Sequence, residues 1–559
     1  MSREAHREEN RAGRGDYGLA VLSGTLLGFS FPPFRLGLLA CVGLVPLLVA
    51  LARRERLVSS LRLVYVAMLV FHVITLNWTG GYAHGNDPYM MIAGAVTMLV
   101  HPFFYFIPLG LYHAARKRLG GAAALAALPF LWVGYEYSHS LSEWSFPWLT
   151  IGNSQSYDIA RIQFISVTGI WGLSCWVIVL NVLTYLLYCE LAGRRWTRRA
   201  GMLAVIMVIT ALFPTAEGLY VLGRAPAPGT PAPGTPVTVG IVQSNVDPWE
   251  KWGRQGRDLL DLYTGLTRRL VADTTVPRPA IVLWPETAIT GYPLLPMSRP
   301  LLEGLHGAAD SMHVAILTGI THAVFYNDAA RAPASARTSR VGGEKYDAFN
   351  AAAFIQPDVD SVAWYGKMKM VPIAERVPYA DMFAFLDFLR WGVGIGGWQI
   401  GPAQTVFRDS AAGVAFSSLI CYESTYPGFV ASFVRKGASF LALITIDSWW
   451  GKMSGAYQHR QFAVFRAVEN RRWIARCAVG GISCYIDPYG RSYDDTDLFT
   501  ERTLSRTIGA SGEMTFYTLH GDWLGQCALL GACMCAAAIA GRTFINRTRR
   551  QLWQTTTST

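Results

Sequence analysis

The N-terminal half of the chain consists of long apolar segments separated by short polar stretches, and no other feature restricts the fold as strongly. Most of these segments approach the roughly 17–25 residues that a helix needs to cross a bilayer. The whole chain is 52% hydrophobic and only 16% charged, which is more apolar than an ordinary soluble protein. We predict a polytopic α-helical bundle of eight spanning helices, at 17–31, 36–52, 63–76, 89–112, 122–134, 164–189, 202–222 and 523–540.

Basic residues are concentrated in every second connection between these segments. Clusters lie at 3–14, 53–62, 116–118 and 194–199, whereas the stretch 78–88 has none. The positive-inside rule predicts this alternation for a membrane protein whose N-terminus is cytoplasmic. We therefore attribute the net charge of +11 to membrane topology, and we predict no nucleic acid partner.

The apolar pattern changes after the seventh segment. A Pro/Gly-rich stretch is followed by short β-type runs that alternate with helical stretches, as in an α/β layered fold. By the helix count this α/β domain lies outside the cytoplasm. The predicted boundaries are 1–16 for a cytoplasmic basic N-terminus, 17–222 for a seven-helix membrane domain, 223–236 for the linker, 237–515 for the α/β domain, 523–541 for the eighth helix and 542–559 for a cytoplasmic tail.

Three segments of the α/β domain place a reactive side chain at the end of an apolar, β-type run. These side chains are Glu286, Lys367 and Cys421. A thiol needs a base to become a thiolate, and a developing oxyanion needs a positive charge beside it. Each residue alone also has an ordinary interpretation, as a cap, a solvated charge or a small core residue. Their shared position at strand ends favours one catalytic group.

These segments resemble motifs of the nitrilase superfamily, and the membrane segments make the chain similar to its membrane-embedded branch, the apolipoprotein N-acyltransferases. The motifs are 284–286, 365–375 and 420–423, joined by shorter matches along nearly the whole chain. The resemblance implies an αββα sandwich in which Glu286 is the general base, Lys367 stabilises the oxyanion and Cys421 is the nucleophile. It also implies supporting roles for Glu375, Glu423, Tyr422 and Trp252.

The same resemblance implies a ping-pong reaction. Cys421 takes a fatty acyl chain from a membrane phospholipid and passes it to the α-amino group of the N-terminal diacylglyceryl-cysteine of an apolipoprotein. The expected partners are therefore the phospholipid donor, the apolipoprotein acceptor and membrane lipids, with no metal and no organic cofactor. The expected location is the bacterial cytoplasmic membrane, with the catalytic domain on the outer side and both termini cytoplasmic.

The stretch 379–401 is rich in large apolar residues and in glycine. We interpret it as an interfacial arm or lid that dips into lipid and controls acyl entry, although an ordinary buried helix and loop would have the same composition. The candidate substrate-binding or lid residues are Trp148, Trp391, Trp398 and Trp449.

Two other functions fit parts of the sequence. A membrane-tethered amidase of the nitrilase type would use the same three catalytic residues and pass the acyl group to water, but such an enzyme has no need of eight helices. A transporter-like protein with a binding-only outer domain would leave the catalytic segments without a purpose. Transport also usually requires ionisable residues inside the membrane, and these segments have few charges.

The chain departs from the family pattern at Ala478-Val479-Gly480-Gly481, where a polar turn is usual. A two-residue turn at Gly480-Gly481 would place Cys477 opposite Cys484 across a hairpin. An oxidising compartment would permit a disulfide there, although cysteines in opposite positions often lack the required geometry.

Overall fold

The computed structural model describes residues 13–81, 87–193, 196–230, 234–339, 342–379, 381–382 and 397–557. Every apolar segment of the N-terminal half is helical. The predicted helix 164–189 begins with a separate turn, Ile165–Thr168, which ends at Gly169, and the predicted helix 89–112 is split into two. A 3-10 turn at His101–Tyr105 separates the two parts, consistent with the proline at 102, which has no amide hydrogen to donate. The helices are α1 (Arg14–Phe29), α2 (Gly37–Ala52), α3 (Leu57–Leu76), α4 (Pro88–Val100), α5 (Phe106–Arg118), α6 (Gly121–Ser140), α7 (Ile170–Leu191) and α8 (Arg198–Arg224).

Five helices in the described part of the chain are long and apolar enough to cross a membrane, judged by length and composition. They are Leu57–Leu76, Met90–Arg118, Ile170–Leu191, Arg198–Arg224 and Trp523–Arg549. The other three predicted segments, which correspond to α1, α2 and α6, are helical but do not meet both criteria. The helical half is therefore compatible with a membrane, and the number of spans remains a prediction.

The α/β domain begins within the predicted linker, at Thr235, and contains two sheets. Its strands are β1 (Thr235–Gln243), β2 (Ile281–Leu283), β3 (Ala315–Phe325), β4 (Arg337–Thr338), β5 (Lys345–Ile355), β6 (Ala363–Gly366), β7 (Phe407–Asp409), β8 (Val414–Ile420), β9 (Phe440–Thr445), β10 (Ile474–Ala478), β11 (Cys484–Ile486), β12 (Ser492–Tyr493) and β13 (Arg502–Ala510). Its helices are α9 (Gly256–Ala272), α10 (Arg299–Met312), α11 (Pro427–Arg435), α12 (Ser454–Asn470) and α13 (Phe516–His520), after which α14 (Trp523–Thr557) extends through most of the predicted tail.

Each sheet has a parallel centre and antiparallel edges. The first sheet has the order β13-β1-β2-β3-β5-β4, with β6 also paired to β5, and the second has the order β12-β11-β10-β9-β8-β7. Strands β1, β2 and β3 are parallel, as are β8, β9 and β10. β2 and β8 are the strands that precede Glu286 and Cys421. Both lie inside their sheets, with a neighbouring strand on each side.

The alternation of side chains along β2 shows how the layers are stacked. Ile281 and Leu283 belong to the core shared with the second sheet, whereas Val282 and Trp284 belong to the core that contains α9 and α10. This two-residue period is the one expected for a strand buried on both faces. With α11 and α12 contacting the second sheet, the layers form the predicted αββα sandwich.

Helix α12 connects the α/β domain to the helical half of the chain. The Gln458 side chain donates hydrogen bonds to Pro32 O at 2.8 Å and to Thr75 O at 3.0 Å. At the other end of α12, Glu469 Oε1 accepts from the backbone N–H of Ile170 at 2.9 Å. These contacts are buried, so the catalytic domain is fixed directly against the apolar helices.

The expectation that Cys477 faces Cys484 is wrong. The loop between β10 and β11 has five residues rather than two, and the strand register pairs Cys484 with Arg476. A shift of one residue turns a side chain to the opposite face of the sheet, so the two sulfur atoms point away from each other. Both cysteines are buried and free.

Candidate active site

Glu286, Lys367 and Cys421 come together where three strands from two sheets end. Glu286 follows β2, Lys367 follows β6 and Cys421 follows β8. Lys367 Nζ lies 3.4 Å from Glu286 Oε1, and the charges of both residues influence the Cys421 thiol. The structure thus assembles three residues that lie far apart in the sequence.

The Glu286 carboxylate is held by three donors. Oε1 accepts from Asn350 Nδ2 at 2.7 Å as well as from Lys367, and Oε2 accepts from the backbone N–H of Ile446 at 3.1 Å. Only 4% of the residue is exposed. Both carboxylate oxygens are therefore held in place beside Lys367 and the Cys421 segment.

Lys367 has no exposed surface and is bound mainly by Glu375. Its Nζ lies 2.7 Å from Glu375 Oε1, and Glu375 Oε2 accepts from the backbone N–H of Val371 at 2.8 Å. Burial alone would lower the pKa of Lys367, but the carboxylates of Glu375 and Glu286 outweigh it and raise the pKa. Lys367 is therefore a permanent cation beside the thiol.

Cys421 occupies a strained turn. Its φ is +53°, a region that residues other than glycine seldom adopt, and a 3-10 turn, Cys421–Thr425, starts there. The turn directs the half-buried thiol toward Glu286 and Lys367. Burial raises the pKa of the thiol, and the Glu286 carboxylate raises it further, while Lys367 acts in the opposite direction. At rest the group is a thiol that needs a base.

Glu423 joins the segment that carries Cys421 to the segment that carries Lys367. One carboxylate oxygen accepts from Tyr365 OH at 2.6 Å and from Met368 N–H at 2.7 Å, and the other accepts from Ile420 N–H at 2.8 Å. Burial raises the pKa of Glu423 to about 7, although these donors oppose the shift. The side chain fixes the spacing between the two segments.

A mainly apolar cavity of about 340 Å³ reaches the thiol. Glu286, Glu375 and Cys421 form its polar end, and one face of α4 forms an apolar wall. The predicted substrate-binding or lid residues Trp148 and Trp449 line this cavity, as does the predicted supporting residue Tyr422. The apolar wall consists of Met90, Ala93, Gly94, Val96, Thr97 and Val100.

Two other predicted residues, Trp252 and Trp398, do not line this cavity. Trp252 lies with its ring 6.4 Å from that of Trp398. Trp398 is only 3% exposed and its backbone N–H donates to Glu375 O at 3.1 Å, and its role as a substrate-binding or lid residue stays a prediction. Trp391, like most of the stretch 379–401, lies outside the described residues.

A second group of charged side chains lies behind Cys421. His459 Nδ1 lies 2.8 Å from Asp447 Oδ1, and His459 Nε2 lies 3.0 Å from Cys421 O. His459 Nδ1 also lies 3.2 Å from Arg476 Nη2, and His459 Nε2 lies 3.2 Å from Ser424 Oγ, so polar groups hold the ring on both sides. Arg476 donates to both oxygens of Asp447, and it is a main reason that the pKa of this carboxyl falls to about 2 although burial acts against it.

Sequence reasoning did not assign roles to Asn350, His459 or Arg476. A signal existed for two of them, because Asn350 interrupts an alanine-rich strand and Arg476 occupies the middle of an apolar strand. A buried polar or charged side chain requires a partner. Among the described residues, no group of three or more His, Cys, Asp or Glu side chains is arranged to hold a metal ion.

Comparisons with known proteins agree with this architecture. The model of the carbon-nitrogen hydrolase family matches residues 239–512, and that of the apolipoprotein N-acyltransferase N-terminal domain matches residues 23–183. A solved amidase of the nitrilase superfamily from Nesterenkonia AN1 aligns over 53% of this chain and 100% of its own, at 16% identity and a TM-score of 0.37. The α/β domain is of the nitrilase type.

Full-length relatives define the family more narrowly. An apolipoprotein N-acyltransferase of Chlorobaculum tepidum is 35% identical over 94% of this chain and 97% of its own length. One from Geobacter metallireducens is 29% identical over 95% of this chain and 97% of its own. The chain belongs to the apolipoprotein N-acyltransferase family and is an acyltransferase built on a carbon-nitrogen hydrolase domain.

Proposed function

We propose that the enzyme transfers a fatty acyl chain from a membrane phospholipid to the α-amino group of an apolipoprotein's N-terminal diacylglyceryl-cysteine, with Cys421 as the acyl carrier. The observation that supports this most directly is the single cavity that joins the thiol to the apolar face of α4. A cavity with a polar reactive end and an apolar wall suits an ester whose chain comes from a bilayer.

The first half-reaction forms a thioester. Glu286 takes the proton of the Cys421 thiol, and the thiolate attacks the ester carbonyl of the phospholipid. The resulting oxyanion is stabilised by the Lys367 ammonium. When the intermediate collapses, the glycerol oxygen leaves and takes the proton from Glu286, which releases a lysophospholipid.

The second half-reaction regenerates the enzyme. The neutral α-amine of the acceptor attacks the thioester carbonyl, and Glu286 takes one of its protons. The Cys421 sulfur leaves and is protonated again, and the product is an N-acylated lipoprotein. Glu375 keeps Lys367 in place in both steps, Glu423 holds the segments of Lys367 and Cys421 together, and Tyr422 and Trp148 border the acyl path. Trp449 lines the same cavity, and Trp252 has a supporting role outside it.

We further propose the membrane arrangement predicted by the loop charges. In it the helical half forms seven spans, α14 forms the eighth, and both termini are cytoplasmic. The α/β domain then lies on the outer side, with its cavity facing the outer leaflet of the cytoplasmic membrane. The domain boundaries of this proposal are those predicted from the sequence, with the first strand starting at Thr235.

The test is to trap the acyl-enzyme. Purified protein is incubated with a phospholipid of defined acyl chains and its intact mass is measured. We expect one fatty acyl adduct on the wild type and none on Cys421→Ala. Addition of a diacylglyceryl peptide should remove the adduct and yield N-acylated peptide. An adduct on both proteins would refute Cys421 as the carrier, and free fatty acid as the main product would favour the amidase.

A further inference from the structure

Lys251 is a buried lysine for which the proposed reaction gives no role. It has no exposed surface and starts the 3-10 turn Lys251–Gly253. Its Nζ donates to Thr287 Oγ1 at 2.6 Å and, more weakly, to Glu286 O at 3.4 Å. Within the described part of the chain it makes no ion pair. A buried ammonium without a counter-ion is costly, which indicates a role other than packing.

Both acceptors of Lys251 belong to the turn that carries Glu286. Thr287 in this turn has a φ of +45°, which is an uncommon conformation for a β-branched residue. On the other side the turn lies directly against Gly319, where an added Cβ would come within 2.4 Å of Pro285 O and of Thr287 N. The turn is therefore fixed between the backbone of β3 and the side chain of Lys251.

The charge of Lys251 also acts on Glu286. Burial lowers the pKa of Lys251 to about 7, and the Glu286 carboxylate acts in the opposite direction. Below about pH 7 Lys251 is therefore an ammonium, whose charge lies close to the Glu286 carboxylate. The other charged or titratable groups close to Glu286 are Lys367, Glu375 and Cys421, and the Trp252 ring lies 5.4 Å from Lys251 Nζ.

We propose that Lys251 is a positioning residue that fixes the Glu286 turn and, through its ammonium charge, keeps Glu286 ionised and ready to take the Cys421 proton. The inference rests on the proposed function, because it presupposes that Glu286 is the base. Without the cation, Glu286 should take up a proton at a higher pH. As the pH is lowered, acylation should therefore be lost earlier in the variants than in the wild type.

The experiment measures the single-turnover rate of thioester formation between about pH 5 and about pH 9. Lys251→Met removes the charge and both hydrogen bonds, whereas Lys251→Gln removes the charge and keeps a donor for Thr287. On the acid side of the profile, where the rate falls as the pH falls, we expect the curves of both variants to lie about one pH unit higher than that of the wild type. At a given pH in this range the rate of thioester formation should be about tenfold lower. Lys251→Gln carries the test if the Met variant does not fold.

The outcomes separate this inference from the proposed function. Variants that keep the wild-type pH profile, even at a uniformly lower rate, would show that Lys251 is only structural. Glu286→Gln serves as the reference. If it is inactive while the Lys251 variants keep their profile, only the present inference fails. If Glu286→Gln acylates at the wild-type rate, the base assignment and the inference fail together.

Discussion

Two clusters of charged side chains contact the segment of Cys421, and they are built in opposite ways. The cavity cluster consists of Glu286, Lys367 and Glu375, and both of its carboxylates line the cavity. The interior cluster consists of Asp447, His459 and Arg476, and none of these side chains lines it.

The clusters also differ in how tightly their charges are paired. In the cavity cluster Lys367 lies 2.7 Å from Glu375 but 3.4 Å from Glu286, so the ion pair of the proposed base is the loose one. In the interior cluster Asp447 Oδ1 lies 2.8 Å from His459 Nδ1, and Asp447 Oδ2 lies 2.8 Å from Arg476 Nη2. All three side chains are buried. A loosely paired carboxylate can exchange protons at moderate cost, whereas breaking a buried, fully paired one is expensive. We infer that the first cluster carries out chemistry and the second holds the Cys421 carbonyl in position.

Glu286→Gln should have the largest effect on activity. The amide keeps the shape of the side chain but cannot take the thiol proton, so thioester formation should fall by about 10²–10⁴-fold. The thermal unfolding temperature should change little, because the carboxylate is not part of a tight ion pair. Single-turnover acylation and thermal unfolding of the same preparation check this. A variant that unfolds early and acylates at a normal rate would reverse the roles of the two clusters.

Asp447→Asn should show the opposite pattern. It leaves Arg476 as a buried cation without its anion, and breaking such a pair costs about 3–5 kcal/mol of folding free energy. Activity of the remaining folded protein should fall only about tenfold, since the amide oxygen can still accept from His459. Denaturant unfolding and acylation per folded molecule measure the two effects. A normal stability with a complete loss of acylation would place Asp447 in the chemistry instead.

Glu286 and Lys367 of the cavity cluster could be predicted from the sequence because they follow strands, as Cys421 does, whereas Glu375 was predicted only through the family resemblance. Glu286, Lys367 and Cys421 each end a recognisable β-type run, and the ends of such strands are where catalytic side chains gather. The interior cluster could not be predicted in the same way. Its members come from a loop, a helix and a strand, and they meet only through the packing of α12 on β10.

The strands of the fold could likewise be predicted only where apolar residues form a recognisable run. Strand β9 (Phe440–Thr445) is buried along its whole length and forms an apolar run that the sequence shows directly. The edge strand β13 gives no such signal, because most of its residues are only partly buried and several are polar. The β10–β11 register was wrong because two adjacent glycines indicated a tight turn, whereas the actual loop includes Val479 and Ser483, both buried.

The two buried carboxyls Glu423 and Asp447 should differ in their response to pH. Burial raises the pKa of Glu423 to about 7, whereas Arg476 and His459 overcome burial and lower that of Asp447 to about 2. The raised value means that the folded protein binds a proton that the unfolded chain has lost. The contribution of Glu423 to stability is therefore fully present below its ordinary pKa of 4.5 and is lost as the pH rises through about 7.

Glu423→Gln should remove this dependence. The gap in unfolding free energy between wild type and variant should widen as the pH is lowered from 8 to 5, a change of a few kcal/mol at most. Unfolding of both proteins at matched pH values measures the gap. Asp447 should stay ionised over this range, so its variant serves as the control. A constant gap for Glu423→Gln would mean that the carboxyl is ionised throughout.

Cys477 provides the smallest expected effect and the closest control for Cys421. Both thiols lie at or near the ends of strands in the second sheet, and burial raises the pKa of both. Cys477, however, donates hydrogen bonds to the backbone carbonyls of Val242 and Leu283, at 3.5 and 3.3 Å, and within the described ranges no carboxylate or imidazole is hydrogen-bonded to it. A thiol becomes a nucleophile when a base takes its proton. Cys477→Ala should therefore form the acyl adduct within about twofold of the wild-type rate, with a modest loss of stability from the small cavity that it leaves. Loss of the adduct in this variant, measured by intact mass on folded protein, would mean that burial in this sheet rather than the neighbourhood of Glu286 and Lys367 makes a thiol reactive.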